Sequence, residues 1–131
     1  MQKVTAAILV KDDKILIARR KETDRQGGKW EFPGGKIKGN ETPHECLIRE
    51  MKEEFGIDVW VGKFFAESTY RYGHGKIRLL AYLTSWIDGQ LTLNAHADGR
   101  WVYPSQLDDF DFAPADIPLV EKLQRTDQDK P

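Results

Sequence analysis

The stretch from Thr42 to Gly56 constrains this chain more than any other. Thr42 suits an N-cap, Pro43 the first helical position, and Glu45 stands three residues after the cap, where its side chain reaches back to the cap N–H. Leu47, Ile48, Met51 and Phe55 recur at helical spacing and define an apolar stripe, and Gly56 supplies the stop. A helix over 42–55 is predicted, with its stripe buried against another layer. Glu50, Glu53 and Glu54 fall at i, i+3 and i+4, about 5–6 Å apart at Cβ, on the face away from the stripe. Three anions that close raise one another's proton affinity unless something positive sits among them. Oxygen-only ligands select a hard cation such as Mg²⁺, which takes one or two carboxylates and accepts substrate phosphates. Taken alone, the three glutamates also fit a solvated charged face.

The flanking segments supply the other layer. Val4–Val10 and Ile15–Ala18 read as a strand hairpin across Lys11-Asp12-Asp13-Lys14. Arg19–Lys29 reads as a loop, and Trp30–Gly35 as a short extended piece ending in a turn. Asp58–Tyr72 and Lys76–Trp86 are strand-rich and joined by Gly73-His74-Gly75. Trp101–Tyr103 is a short strand, Pro104–Leu107 a helical turn, and Ile117–Gln124 a second helix. Strands and helices mix without strict alternation. The expected fold is α+β, a mixed twisted sheet sandwiched between helices.

With 131 residues, one domain is expected over 1–125, followed by a polar tail over 126–131. Twenty Lys and Arg against 21 Asp and Glu leave a net charge of −1, which argues against a duplex nucleic-acid binder. An anionic ligand must therefore be held by local features or a bridging metal. The single cysteine, Cys46, excludes an intramolecular disulfide and suits a reducing, cytoplasmic setting. The apolar run Ala6–Val10 is too short for a signal core or a membrane span, so no membrane partner is expected. Oligomeric state stays open between monomer and homodimer.

The frame around the helix is more specific than the helix. Gly35, then five residues, Glu41, then seven residues, lead into Arg49-Glu50-Met51-Lys52-Glu53-Glu54-Phe55-Gly56-Ile57. This resembles the Nudix box, G-x5-E-x7-R-E-U-x-E-E-x-G-U with U apolar, and every fixed position is filled. Seven fixed positions match by chance on the order of a few times in a billion starts, so coincidence is set aside. Trp30-Glu31-Phe32-Pro33-Gly34-Gly35-Lys36 and Ala113-Pro114-Ala115-Asp116-Ile117-Pro118 extend the resemblance to the MutT-type nucleoside triphosphate pyrophosphohydrolases. It is nearest to the branch acting on CTP and 5-methyl-dCTP as well as 8-oxo-dGTP.

The resemblance implies a loop–helix–loop that binds Mg²⁺, or Mn²⁺ in its place, around a nucleoside diphosphate linkage. By it, Glu53 and Glu54 are metal ligands, Glu50 a further ligand or the base that activates water, and the Gly35 carbonyl completes the metal shell. Arg49 holds the glutamates, Glu41 braces the loop, and Gly56 ends the helix. Water attacks the β-phosphorus, giving NMP and pyrophosphate. The implied base pocket uses Arg20, Phe32, Leu79 and Asp116, with Lys36 reaching phosphates beside the metal loop. Asp116 stands where the MutT type has asparagine, and it alternatively caps the helix at Ile117. One departure is Ala95, where several MutT-like proteins carry a further metal-binding glutamate; His96 and Asp98 are the neighbouring candidates to replace it.

The expected activity is thus Mg²⁺-dependent pyrophosphohydrolysis of a modified or damaged dNTP, or of CTP or dCTP. Two rivals remain at this stage. One keeps the chemistry but acts on ADP-ribose or a dinucleotide polyphosphate. The other is a nucleotide-sensing module with negligible turnover.

Overall fold

The structure is a computed structural model that describes residues 1–128. Ten residues, Gln2–Lys11, form β1, and Lys14–Arg20 form β2. Asp12 and Asp13 turn the chain between them with φ of 52° and 65°, the left-handed pair that matches strand twist in a two-residue hairpin. β3 is only Trp30–Glu31, and α1 is Pro43–Phe55. β4 (Ile57–Tyr72) and β5 (Gly75–Gly89) make a long hairpin, and β6 is His96–Val102. Two 3₁₀ turns, Pro104–Asp109 and Pro114–Asp116, lead into α2, Ile117–Gln128.

The sheet runs β3-β2-β1-β5-β4, with β6 also paired to β2. β1 and β5 are parallel, and the other pairings are antiparallel. β1 and β2 pair only beside their turn, through Val10–Ile15 and Lys11–Lys14. Beyond that β2 diverges, and the Pro33–Ile37 segment takes its place beside β1. Ala7 N–H donates to the Pro33 carbonyl (2.6 Å), Thr5 N–H to that of Gly35 (2.8 Å), and Ile37 N–H to that of Lys3 (3.1 Å). That split places the functional loop.

β1 is buried on both faces, which explains its unbroken apolar run. Ala6 and Ile8 join Ile17, Phe32, Ala81, Leu119 and Leu123 in a core beneath α2. Ala7 and Leu9 join Leu16, Leu47, Met51, Phe55 and Val59 in a core beneath α1. Each large side chain so buried contributes about 1.5–3 kcal/mol of transfer free energy. Helices therefore cover both faces, as the patterning predicts.

Three details differ from the sequence reading. Ile48 is 46% exposed, and the inward stripe of α1 is Leu47, Met51 and Phe55 with Cys46. β6 begins at His96, five residues before Trp101, because it is zipped along β2. α2 continues through Gln128, so part of the expected tail is helical, and residues 129–131 lie outside those described.

Candidate active site

The N-terminus of α1 closes as its residue types dictate. Thr42 Oγ1 accepts from Glu45 N–H (3.1 Å), and Glu45 accepts from Thr42 N–H (2.9 Å). Gly56 ends the helix at φ 71°. Its last carbonyls are taken by a later segment: Thr92 N–H donates to Phe55 (2.9 Å), Asn94 N–H to Glu54 (3.0 Å), and the Asn94 amide to Glu53 (3.0 Å). The stretch before β6 is thereby fastened to the carboxylate end of α1.

Arg49 organises that end. Its Nε and Nη2 grip both oxygens of Glu41 (2.6 and 2.9 Å), while Nη1 reaches Glu50 (2.8 Å) and Glu53 (3.3 Å). Nη2 also donates to the Lys36 carbonyl, tying the helix to the loop (3.1 Å). The Arg49 bonds and the Lys38 N–H hold the Glu41 carboxyl down to about 2. The same bonds to Glu41, then Glu50, push the Arg49 guanidinium above its ordinary value.

Glu50 is buried and lies against the loop backbone. A Cβ on Gly35 would sit 2.4 Å from its carboxyl carbon, so only glycine permits this approach. Gly34 is required for a different reason. Its φ is +154°, and a Cβ there would fall 2.0 Å from the Thr5 carbonyl oxygen. Glu54 has the opposite character to Glu41: burial, then the Glu50 charge, raises its carboxyl to about 7, against the pull of His96. Glu53 is 55% exposed at the side chain and contacts Arg49.

Glu50 and Glu54 line an open cleft of about 540 Å³ with Gly34, Gly35, Lys36, Lys38, Arg20 and Ala95. Glu53 does not line it. Among the described residues, no three His, Cys, Asp or Glu side chains converge into a closed metal cage. The donor chemistry nevertheless fits a hard divalent ion. A half-buried carboxylate whose proton affinity is raised to about 7 beside a second carboxylate is a site short of positive charge.

The Gly35 carbonyl, expected to complete the metal shell, is engaged by the fold. It accepts from Thr5 N–H (2.8 Å), from Thr5 Oγ1 (3.1 Å) and from Cys46 Sγ (3.5 Å). These contacts tie the carbonyl to β1 and α1 while Gly35 lines the cleft.

A second cavity of about 190 Å³ lies alongside, and all five expected substrate residues, Arg20, Phe32, Lys36, Leu79 and Asp116, line it. They come from four separate places in the chain, Phe32 and Lys36 sharing one. Phe32 is also a core residue, with its ring stacked on Phe112 at 5.4 Å. Asp116 does not cap α2: its Oδ2 accepts from Phe32 N–H across the cavity (2.9 Å). Burial, then the nearby Glu31 charge, raises its carboxyl well above the ordinary value. His74, at the β4–β5 turn, stacks on Tyr72 and forms the outer rim.

Of the two neighbours of Ala95, His96 faces the cleft and Asp98 does not; Asp98 contacts Arg100 (3.3 Å) and Gly99 N–H (2.8 Å). His96 instead meets Glu31, which the sequence reading left without a role (2.8 Å). No sequence signal marks that pair, because 65 residues separate its members.

An α+β fold that sets a carboxylate- and lysine-lined cleft beside a smaller cavity is an arrangement suited to a cation-bound, phosphate-bearing ligand. The family comparison makes the class specific: the profile described as NUDIX domain matches residues 4–122. The chain belongs to the Nudix family and is a MutT-like hydrolase, whose members generally use divalent metal ions. It is 38% identical over 121 residues to the CTP pyrophosphohydrolase of Escherichia coli K12, covering 92% of this chain and 90% of that one. It is 32% identical over 128 residues to the E. coli 8-oxo-dGTP diphosphatase, covering 95% and 99%. The solution structure of the E. coli ORF135 protein superposes with a TM-score of 0.85 at 36% identity, covering 100% of this chain and 94% of that one. No helix among the described residues is long and apolar enough to cross a membrane.

Proposed function

We propose that this Nudix enzyme is a Mg²⁺-dependent nucleoside triphosphate pyrophosphohydrolase that releases NMP and pyrophosphate. Its substrates are modified or damaged dNTPs such as 8-oxo-dGTP and 5-methyl-dCTP, or CTP and dCTP, and its setting is the cytoplasmic nucleotide pool. The observation that carries this reading is the adjacency of two cavities, one apolar with a buried carboxyl, the other lined by carboxylates and lysines. Names of the relatives support the same substrate class.

Each residue then has a task. Asp116, Phe32 and Leu79 hold the base, and Arg20 and Lys36 meet the phosphates. Glu54 and Glu53 are the metal carboxylates; Glu53, exposed and tied only to Arg49, turns inward to join. Glu50 ligates with them or takes the proton from water. Arg49 and Glu41 keep those carboxylates aimed. The ion, when bound, lowers the pKa of a water and offsets phosphate charge. Asp116 accepts from Phe32 N–H through one oxygen and has the other to offer the amino group of a base such as cytosine.

A turnover screen with Mg²⁺ tests this. CTP, dCTP, 5-methyl-dCTP, dGTP, 8-oxo-dGTP and ADP-ribose are compared, with pyrophosphate and orthophosphate measured separately. Pyrophosphate from one modified dNTP well ahead of its parent is the expected result. Cleavage of ADP-ribose alone would overturn the assignment.

A further inference from the structure

The two cavities share five lining residues, Arg20, Glu31, Gly34, Gly35 and Lys36. A nucleotide with its base in one and its phosphates in the other must cross this strip at the sugar and α-phosphate. Two of the three side chains on that strip, those of Arg20 and Glu31, are bound to each other. Arg20 Nη1 donates to Glu31 Oε1 (3.1 Å), and Arg20 Nε donates to the Arg25 carbonyl. The other oxygen of Glu31 meets His96 Nε2 (2.8 Å). His96 is 4% exposed at the side chain, and its ring stacks on Phe55 at 5.2 Å, the last residue of α1. Among the described residues its Nδ1 has no partner, and Glu31 is its polar attachment.

The guanidinium of Arg20 is thus fixed at two of its nitrogens, and its Nη2 donors have no hydrogen-bond partner among the described residues. Held this way, its planar fork is presented rather than searching, and less side-chain freedom is lost when it meets a phosphate oxygen. We infer that Glu31 is a positioning residue for nucleotide binding: it holds Arg20 at the junction of base cavity and carboxylate cleft and is itself anchored by His96. This rests on the nucleotide reading above. It predicts an effect on binding more than on the chemical step, because Arg20 meets the substrate where base and phosphates join.

The test is steady-state kinetics on Glu31→Gln with the best triphosphate from the screen. Losing one charge-assisted hydrogen bond raises KM about tenfold while kcat moves less than about threefold. In an Arg20→Met background the same substitution adds less than about twofold to KM, because its partner is gone. A merely structural role lowers thermal stability and leaves that split untouched. Should Glu31→Gln fail to fold, Glu31→Asp keeps the charge but withdraws the carboxylate, and the same KM signature is expected. An unchanged KM, a fall confined to kcat, or a full tenfold effect without Arg20 would each overturn the inference. Absence of turnover in the unaltered protein would sink the nucleotide reading instead, so the two failures are distinguishable.

Discussion

The carboxylate cleft and the base cavity lie side by side but are built in opposite ways. The cleft is set largely by one stretch, Gly35 to Gly56, whose members meet through helical spacing and one arginine. The base cavity draws on β1, β2, β3, β5 and the turn before α2, and its central hydrogen bond spans 84 residues. Local geometry fixes chemistry that stays the same from substrate to substrate. On the proposed function, non-local assembly forms the part that selects, where small movements of several elements alter one or two hydrogen bonds. Changes in the cleft should therefore remove turnover, and changes in the cavity should redirect it.

The largest effect is expected from Glu53→Gln. Turnover should fall about a thousandfold, ~4 kcal/mol of barrier, with an unchanged melting profile because the side chain is exposed. A fall of only a few-fold would remove Glu53 from the metal set. Gly35→Ala comes next: its Cβ would displace Glu50, and turnover should drop about a hundredfold in a folded protein. If rate survives while stability falls, the close approach serves the fold alone.

Asp116→Asn probes the other region. Substrate ranking should move about tenfold away from cytosine and toward 8-oxo-guanine nucleotides. Stability should move as well. The folded carboxyl is raised above 3.8, so its contribution is full below that value and lost as pH rises through the raised one. Asparagine carries no charge to bury. The variant should melt higher than the unaltered protein near about pH 8, with the gain vanishing near about pH 4. Equal melting temperatures across that range would show the carboxylate to be compensated in place.

The smallest effect is expected from Ala95→Glu. Asn94 fastens the preceding backbone to the end of α1, and Ala95 lines the cleft. An added carboxylate there should lower the Mg²⁺ needed for half-maximal rate about two- to fivefold. No change would mean that the neighbouring groups already complete the site.

The same contrast explains what could be read in advance. Thr42, Glu45 and Gly56 act within four residues of their partners, so the helix and its caps were legible. The arginine-to-glutamate clamp was legible through the box. Ile48 was misplaced because helical spacing alone does not say which side of a broad stripe meets the core; Leu47, Met51 and Phe55 do, one turn apart. Peptide orientation is invisible in a sequence, so the commitment of the Gly35 carbonyl to Thr5 and Cys46 could not be foreseen. The Glu31–His96 pair joins a two-residue strand to the first residue of β6, and neither carries a periodic signal.

The measurement that bears most directly on the account is product analysis after one turnover in isotopically labelled water with Mg²⁺ and the best triphosphate. The account predicts NMP and pyrophosphate as the products, with the label in pyrophosphate. Orthophosphate and a nucleoside diphosphate, or label in the NMP, would contradict it.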